Sequence, residues 1–436
     1  MKPRIRMRRA ALCTAIMMLF SSPHAFAGKA NLSGLANGTE FDQFIVKYRD
    51  GSDERRDSAA IDRGLVQAAR TVVGTARRPS PTAKHLRRMS LDADVVRTNR
   101  KLDRVDAETL MRAIAADPNV EYVEVDAIIR TALTPNDPLF PQQWHYMNNA
   151  GGIHGLPDAW DKSTGANIVI AVIDTGSTPH SDLAANTVAG YDFISNATVA
   201  QDGGGRDSDP NDPGDWFTNW ACGGYPDPRF ERRDSSWHGT HVAGTIAAVT
   251  NNANGVAGVA FGARIQHARA LGRCGGSTSD IADAIVWASG GSVSGVPANA
   301  TPVHIINMSL GGNGSCSSTF QNAINSAAGR GTTVVVAAGN LNINAANYQP
   351  ASCANTITVG ANDANGGRAS FSNYGRAVDI AAPGVDVLST RNTGTQAQGA
   401  ETYNYSSGTS MAAPHVAGVA ALVQSRRFAL GLPRYA

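Results

Sequence analysis

Charged residues make up only 17% of the 436-residue sequence, aromatic residues 6%, and cysteines number five. Neither sign of charge dominates, because the formal net charge is +2 and residues 133–436 hold 20 acidic against 15 basic side chains. We therefore expect no nucleic-acid partner, which would require a strongly basic surface. With 42% hydrophobic residues and 45 glycines, the composition is that of a soluble globular protein with many tight turns, and it excludes a disordered or fibrous chain.

The first 27 residues have the pattern of a secretory signal. A basic start precedes the apolar run AALCTAIMMLF, and Ala25-Phe26-Ala27 fits a cleavage site of small residues. The run is too short to span a bilayer, so a membrane anchor is the weaker interpretation. We expect an exported protein that has no membrane association once the signal is removed.

Four cysteines remain after the signal, and an even number in an exported chain favours two disulfides. They are Cys222, Cys274, Cys316 and Cys353. Four cysteines allow three pairings, and their order alone does not choose among them. Metal binding is less favoured, because no two of them are two to four residues apart.

The chain divides at the Pro-rich segment TALTPNDPLFPQQW, residues 131–144. Before it, residues 41–130 predict a small α+β domain with a strand at FDQFIVKYRD, a helix at DAETLMRAIAADPNV and a strand at VEYVEVDAIIR. The polar segment between them, RTVVGTARRPSPTAKHLRRMS, is interpreted as a loop. After the junction, short apolar runs alternate with helical segments, which predicts an α/β domain whose mostly parallel sheet is covered by helices on both faces.

Three polar residues stand at ends of predicted elements, where such sheets place ligands and catalytic groups. Asp174 follows the apolar strand IVIAVI and is either a helix cap or a site residue. His238 opens HGTHVAGTIAAV, and a lone histidine is more often structural. With His241 it could suggest a metal, but the glutamate of a His-Glu-x-x-His motif is missing. Ser410 begins SMAAPHVAGVAALVQ, where it is either a cap or a nucleophile aimed into a cleft.

Taken together, these segments resemble the subtilisin-like serine proteases, the subtilases. The matching motifs are VIDTG at 172–176, HGTHVAG at 238–244, AAGN at 337–340 and GTSMAAP at 408–414. The order Asp, His, Ser is that of subtilisin. The resemblance covers about residues 134–425. It implies a secreted serine endopeptidase that acts through an acyl-enzyme, with Ser410 as nucleophile, His238 as general base and Asp174 as its orienting acid. Asn340 would supply the oxyanion donor.

The resemblance also implies where peptide or protein substrates bind. MSLGG, residues 308–312, matches the lining of the primary specificity pocket and contributes Ser309, Leu310 and Gly311. CGGS matches the opposing edge, where Gly275 and Gly276 would pair with substrate backbone. Because strand-like hydrogen bonds hold such a peptide, we expect broad selectivity, with a preference for apolar or large residues. Taken alone, these segments would be two ordinary Gly-rich loops.

Calcium is the cofactor that the resemblance implies, because carboxylate, amide and backbone oxygens are its ligands. The matching residues are Asp137, Asp182, Val249, Asn252, Asn254 and Val256. A second candidate site lies in the acidic insertion DGGGRDSDPNDPGDW, whose acids could equally form a solvated loop. Its candidate ligands are Asp207, Asp209 and Asp212.

The expected disulfides are Cys316–Cys353, which brackets the AAGN strand, and Cys222–Cys274, which ties the insertion to the substrate edge. By the same resemblance, residues 28–133 are a propeptide that assists folding, inhibits the enzyme intramolecularly and is removed by self-processing. Residues 134–436 are the peptidase domain, expected to act as a monomer.

One departure from the family concerns the end of the chain. Only 26 residues follow Ser410, whereas subtilases normally continue further. The alternatives to an active peptidase are therefore a truncated, inactive or folding-defective homologue, or an esterase that uses the same triad.

Overall fold

The computed structural model describes residues 27–37, 40–74, 79–127, 134–218, 221–222 and 232–433. The predicted signal therefore lies, apart from Ala27, outside the described residues. The chain divides into two compact units, Met1–Thr131 and Ala132–Ala436. None of the described helices is long and apolar enough to cross a membrane.

The N-terminal unit is an α+β domain in which two amphipathic helices cover one five-stranded sheet. Its strands are β1 (Lys29–Asn31), β2 (Phe41–Tyr48), β3 (Ala83–Arg88), β4 (Ala93–Leu102) and β5 (Val120–Val125), and its helices are α1 (Ser58–Ala69) and α2 (Arg104–Ala115). The strand order is β1-β5-β2-β4-β3. Asp57 and Asp103 cap the helices by accepting hydrogen bonds from the first turns. The strand β3 corrects the loop interpretation of this segment. Its outer face is exposed, so its sequence is polar.

The C-terminal unit is built around a seven-stranded sheet. The strands of the whole unit, of which seven form this sheet and the others pair in two-stranded ribbons, are β6 (Val169–Asp174), β7 (Thr187–Asp192), β8 (Phe217–Thr218), β9 (Arg232–Arg233), β10 (Arg264–Arg269), β11 (Ile305–Met308), β12 (Gly312–Asn313), β13 (Thr333–Ala337), β14 (Tyr348–Gln349), β15 (Ile357–Asn362), β16 (Ile380–Pro383), β17 (Val387–Asn392) and β18 (Glu401–Ser406). Its helices are α3 (Trp144–Met147), α4 (Leu156–Trp160), α5 (Ser181–Ala184), α6 (Ala197–Ala200), α7 (His238–Ala247), α8 (Thr278–Ala288), α9 (Ser318–Gly329) and α10 (Thr409–Ala429).

The large sheet is parallel throughout, in the order β16-β15-β13-β11-β6-β10-β7. Successive side chains of β6 alternate between two hydrophobic cores, with Ile170 and Val172 on the face of α7 and α10. Ala171 and Ile173 lie on the face of α8 and α9. Each fully buried Ile or Val contributes about 1.5–3 kcal/mol. The prediction of a parallel sheet covered on both faces is confirmed.

A hairpin of β17 and β18 connects two helices that matter for the site. The Nε2 atom of His241, in α7, lies 3.0 Å from the Val387 carbonyl and 3.1 Å from the Asn404 carbonyl. The hydroxyl of Ser389 donates to the His241 carbonyl at 2.8 Å. Because β18 ends at Ser406, just before α10 begins, the hairpin fixes α10 relative to α7.

Candidate active site

Asp174 and His238 form a hydrogen-bonded pair at the carboxyl edge of the sheet. Asp174 is the last residue of β6 and is fully buried, and His238 is the first residue of α7. The imidazole Nδ1 lies 2.8 Å from Asp174 Oδ1 and 3.0 Å from Oδ2. Two carboxylate oxygens facing one ring nitrogen require a proton on Nδ1, which leaves Nε2 as the basic atom.

The environment of His238 favours its protonated form. Burial acts to lower the pKa of the imidazole, but the charge and hydrogen bond of Asp174, together with the charge of Asp215, outweigh it and raise the pKa above its usual value. About a quarter of the side chain is exposed, so solvent screens part of this effect. The pair can therefore accept a proton and hold it.

Thr175 connects the two members of this pair. Its backbone N–H donates to Asp174 Oδ1 at 2.8 Å, and its hydroxyl accepts the N–H of Gly239 at 3.0 Å. A Cβ added at Gly239 would collide with the Gly176 carbonyl, so the first turn of α7 can approach this loop only with glycine there.

Ser410 lies in the first turn of α10 and is held against the segment that follows β11. Its Oγ donates to the Ser309 carbonyl at 3.0 Å, and the Ser309 hydroxyl donates to the Ser410 carbonyl at 2.8 Å. Asn307 supports the arrangement by donating to Ser309 Oγ at 3.0 Å. In this conformation the hydroxyl donates to a carbonyl and not to His238, so the O–H has to turn away from Ser309 before its proton can be transferred.

The carboxamide of Asn340 is oriented by Thr409. Asn340 Oδ1 accepts the backbone N–H of Thr409 at 2.8 Å and its hydroxyl at 2.9 Å. The Thr409 hydroxyl accepts the N–H of Gly339 at 3.0 Å. Because the carboxamide oxygen is used by these two donors, the Asn340 NH₂ group remains to donate toward a ligand. A Cβ added at Gly408 would lie 3.4 Å from that nitrogen.

Glycines in α7 and α10 let these helices pack closely against neighbouring segments. A Cβ added at Gly418 would lie 2.6 Å from Val259 Cβ, well inside normal contact. A Cβ added at Gly244 in α7 would collide with Thr390 of β17. Each glycine lets a neighbouring side chain lie where a Cβ would otherwise be.

Both predicted substrate segments begin at this edge of the sheet. Ser309 and Leu310 follow β11 directly. On the other side, the N–H groups of Ala270 and Leu271 both donate to the Asp174 carbonyl. The segment that leads to Gly275 and Gly276 therefore begins next to the Asp174–His238 pair. Gly275 has a φ of +105°, which favours glycine.

The structure brings the first set of predicted calcium ligands together around a short loop. Asp137 and Asp182 are buried. Asp137 accepts the N–H groups of Asn251 and Asn252, and Asp182 accepts the side chain of Asn252 and the N–H of Val256. Asn252 Oδ1 accepts the N–H of Asn254, and Val249 donates its N–H to the Asp182 carbonyl.

This donor set fits a hard cation. Burial raises the pKa of Asp182, and the negative charge of Asp137 raises it further. The hydrogen bonds that Asp182 accepts from Val256 and Asn252 lower the pKa but do not cancel the rise. Carboxylate and amide oxygens are ligands that calcium uses, and Asp137, Asp182 and Asn252 bring them together from three segments of the chain; in this structure N–H groups of the 249–256 loop donate to both carboxylates. No group of three or more His, Cys, Asp or Glu residues that could hold a metal occurs in the described part of the chain.

The acidic insertion has a different arrangement. Each of its three candidate carboxylates accepts a backbone N–H from its own loop, in the pairs Asp207–Asp209, Asp209–Asn211 and Asp212–Gly214. Asp207 and Asp209 are exposed. Asp212 is buried, which raises its pKa to about 7. Within the described ranges the three carboxylates do not form a metal-binding group; each has one oxygen bonded in a local turn, and Asp212 Oδ2 has no hydrogen-bond partner.

The structure contains two disulfides, Cys222–Cys274 and Cys316–Cys353, which are the expected pairs. Thr175 and Thr409 were not among the predicted site residues, although both lie inside the matching motifs. A hydroxyl next to each catalytic candidate is the signal that could have identified them.

The chain is similar to several known proteins. The Subtilase family model, Peptidase_S8, matches residues 165–431. An extracellular protease of Xanthomonas campestris pv. campestris is 55% identical over 418 residues, covering 94% of this chain and 70% of that protein. An extracellular basic protease of Dichelobacter nodosus is 46% identical over 390 residues, covering 89% and 64%. A solved structure titled as proteases from Pseudoalteromonas arctica PAMC 21717 has a TM-score of 0.65 and 59% identity, covering 67% of this chain and 87% of that one.

Proposed function

The chain belongs to the subtilase family, and we propose that this extracellular serine endopeptidase acts through Ser410, His238 and Asp174, with Asn340 stabilising the oxyanion. The observation that carries the proposal is the 2.8 Å contact between His238 Nδ1 and Asp174 at the sheet edge where Ser410 and Asn340 also lie. Peptides and proteins are its substrates.

The residues perform the reaction in two halves. After rotation from the Ser309 carbonyl, Ser410 Oγ attacks the scissile carbonyl carbon while His238 Nε2 takes its proton. The imidazolium, stabilised by Asp174, then protonates the leaving amine as the C–N bond breaks. Water hydrolyses the acyl-enzyme by the reverse proton transfers. The Asn340 NH₂ group and the Ser410 N–H donate to the developing oxyanion. In subtilisin, loss of one such donor lowers kcat by about 10²–10³-fold.

The N-terminal unit is proposed to be a propeptide that inhibits the enzyme and is removed by self-processing. It has its own hydrophobic core, with buried residues such as Phe44, Ile61 and Leu110. The predicted boundary between residues 133 and 134 lies two residues after the division of the chain into compact units. A separately folded segment in this position can be cut off without unfolding the C-terminal unit.

Calcium is proposed to bind at Asp137, Asp182, Val249, Asn252, Asn254 and Val256. When bound, it neutralises the two buried carboxylates and crosslinks segments that are distant in sequence. Asp137 and Asp182 then hold the 249–256 loop against the start of the domain, where Leu139 already donates its N–H to Gly255.

One experiment tests the catalytic proposal against its alternatives. Purified protein is incubated with casein, with a peptide ester and with a serine-directed fluorophosphonate, and the labelled residue is mapped. We expect casein hydrolysis and labelling at Ser410. Ester turnover alone would indicate an esterase, and neither turnover nor labelling would indicate an inactive homologue. Ser425→Ala is the matched control, because Ser425 lies on the same helix and bonds to Ala166.

A further inference from the structure

The ring of Tyr348 lies between two glycines that belong to different segments of the site. A Cβ added at Gly339 would lie 2.7 Å from both Cδ1 and Cε1 of Tyr348, and one added at Gly311 would collide with Cε1. Cβ atoms do not approach other atoms so closely, so the ring edge restricts both positions to glycine, together with Asn373 at Gly339 and the Gln349 carbonyl at Gly311.

These two segments flank the nucleophile. Ser309, two residues before Gly311, shares two hydrogen bonds with Ser410. Asn340 directly follows Gly339 and is fixed by Thr409. A substrate whose carbonyl carbon reaches Ser410 Oγ and whose oxygen reaches Asn340 directs the side chain of that residue into the gap between the segments. This step rests on the proposed function.

Tyr348 is held rigidly at this place. It pairs with Asn313 in the short antiparallel ribbon of β12 and β14. Gly314 donates its N–H to the Asn347 carbonyl at 2.9 Å, and Ser317 donates to the Gln349 side chain at 3.2 Å. The Cys316–Cys353 disulfide joins the chain just beyond both strands. The ring packs against the hydrophobic core that also contains Ala351 and Cys353, and this burial raises the pKa of the phenol.

We propose that Tyr348 closes the inner end of the primary specificity pocket, and that the Cys316–Cys353 disulfide keeps it there. The substrate class is thereby limited by size, so that peptides with a small residue before the scissile bond are cleaved more efficiently than peptides with tryptophan. The expectation from the sequence was broad selectivity with a preference for apolar or large residues; a ring at the inner end of the pocket favours small ones instead.

The test is the ratio of kcat/KM for two p-nitroanilides, N-succinyl-Ala-Ala-Pro-Trp and N-succinyl-Ala-Ala-Pro-Ala. In Tyr348→Gly we expect this ratio to rise about tenfold or more, because removing the ring opens space for the indole. Tyr348→Phe is the matched control, because it keeps the ring and removes only the hydroxyl. It should leave the ratio within about twofold of the wild-type value. Tyr348→Ala provides the same measurement if the glycine variant does not fold.

The role of the disulfide is tested in parallel. The double variant Cys316→Ser/Cys353→Ser should raise the ratio of the two kcat/KM values. The double variant Cys222→Ser/Cys274→Ser should change kcat/KM by the same factor for both substrates and so leave the ratio unchanged. An unchanged ratio in Tyr348→Gly, in protein whose Ser410 still reacts fully with a fluorophosphonate, would overturn the inference. A wild-type protein that neither reacts with the fluorophosphonate nor cleaves any substrate would instead overturn the proposed function, so the two failures are distinguishable.

Discussion

Acid should destabilise the C-terminal unit through its buried histidines: His267, whose pKa burial lowers to about 4, and a group of three, His145, His241 and His415. All three are almost fully buried, and the rings of His145 and His415 are 4.7 Å apart. Each retains at least one ring nitrogen without a hydrogen-bond partner among the described residues. Burial lowers the pKa of His241 to about 3 and of His415 to about 4, and that of His145 falls well below its usual value. Charge repulsion from His415 and His241 lowers the pKa of His145 further.

The sign and size of this loss of stability follow from proton linkage. These histidines are neutral in the native state, while in the unfolded chain they bind protons below pH 6.5. Their contribution to stability is therefore complete above pH 6.5 and is lost as the pH falls toward the native pKa values. At pH 5 each histidine costs about 2 kcal/mol, set by the unfolded pKa alone because the native form is still unprotonated. Such a cost is large beside a stability of about 5–15 kcal/mol for a typical domain.

The measurement compares the free energy of urea unfolding at pH 7.5 and pH 5.0 for the parent protein and two variants of it, all carrying Ser410→Ala to prevent autolysis. Asp192 and Asp212, whose pKa burial raises to about 7, act in the opposite direction but equally in both proteins. His145→Leu should lose about 2 kcal/mol less on acidification than its parent, since one titrating group is gone. The exposed His154 supplies the control variant His154→Leu, which should match the parent. Equal losses in all three proteins would refute the reasoning.

Further outcomes are expected at the site itself. Ser410→Ala should abolish casein hydrolysis and leave residues 28–133 attached, whereas Ser425→Ala should do neither; processing of purified Ser410→Ala protein, seen by mass spectrometry, would contradict self-cleavage. Asn340→Ala should lower kcat by about 10²–10³-fold with little change in KM. Thr409→Val should lower kcat by a smaller factor, because it frees the Asn340 carboxamide from one of its two donors; an effect on KM alone would argue against orientation. EDTA should lower the melting temperature, and Asp182→Asn should remove most of that response. A melting temperature indifferent to EDTA would speak against a structural calcium ion.

Continuous apolar runs made most of the large sheet predictable. β6, β11 and β13 are buried on both faces, so nearly every residue in them is hydrophobic. The strands β3 and β18 were not predicted, because each has an exposed face and a polar sequence. Such strands are identified only by their pairing partners, which are distant along the chain.

The candidate catalytic residues could be named from their motifs, but the groups that hold them could not. Asn340 and Thr409 are 69 residues apart, and their contact exists only after β13 and α10 are assembled. Tyr348 stands in no motif of its own. Its position becomes informative through Gly311 and Gly339, whose missing side chains leave room for its ring.

The register between β17 and β18 sets the distance between His238 and Ser410. One strand is bonded to the helix that begins with His238, and the other leads into the helix that contains Ser410. A single-residue insertion or deletion in β18 would move the chain ahead of Ser410 by about 3.3 Å, whereas a misplacement of about 1 Å can cost 10²-fold in rate. Length changes within this strand should therefore be far less tolerated than substitutions of its exposed side chains.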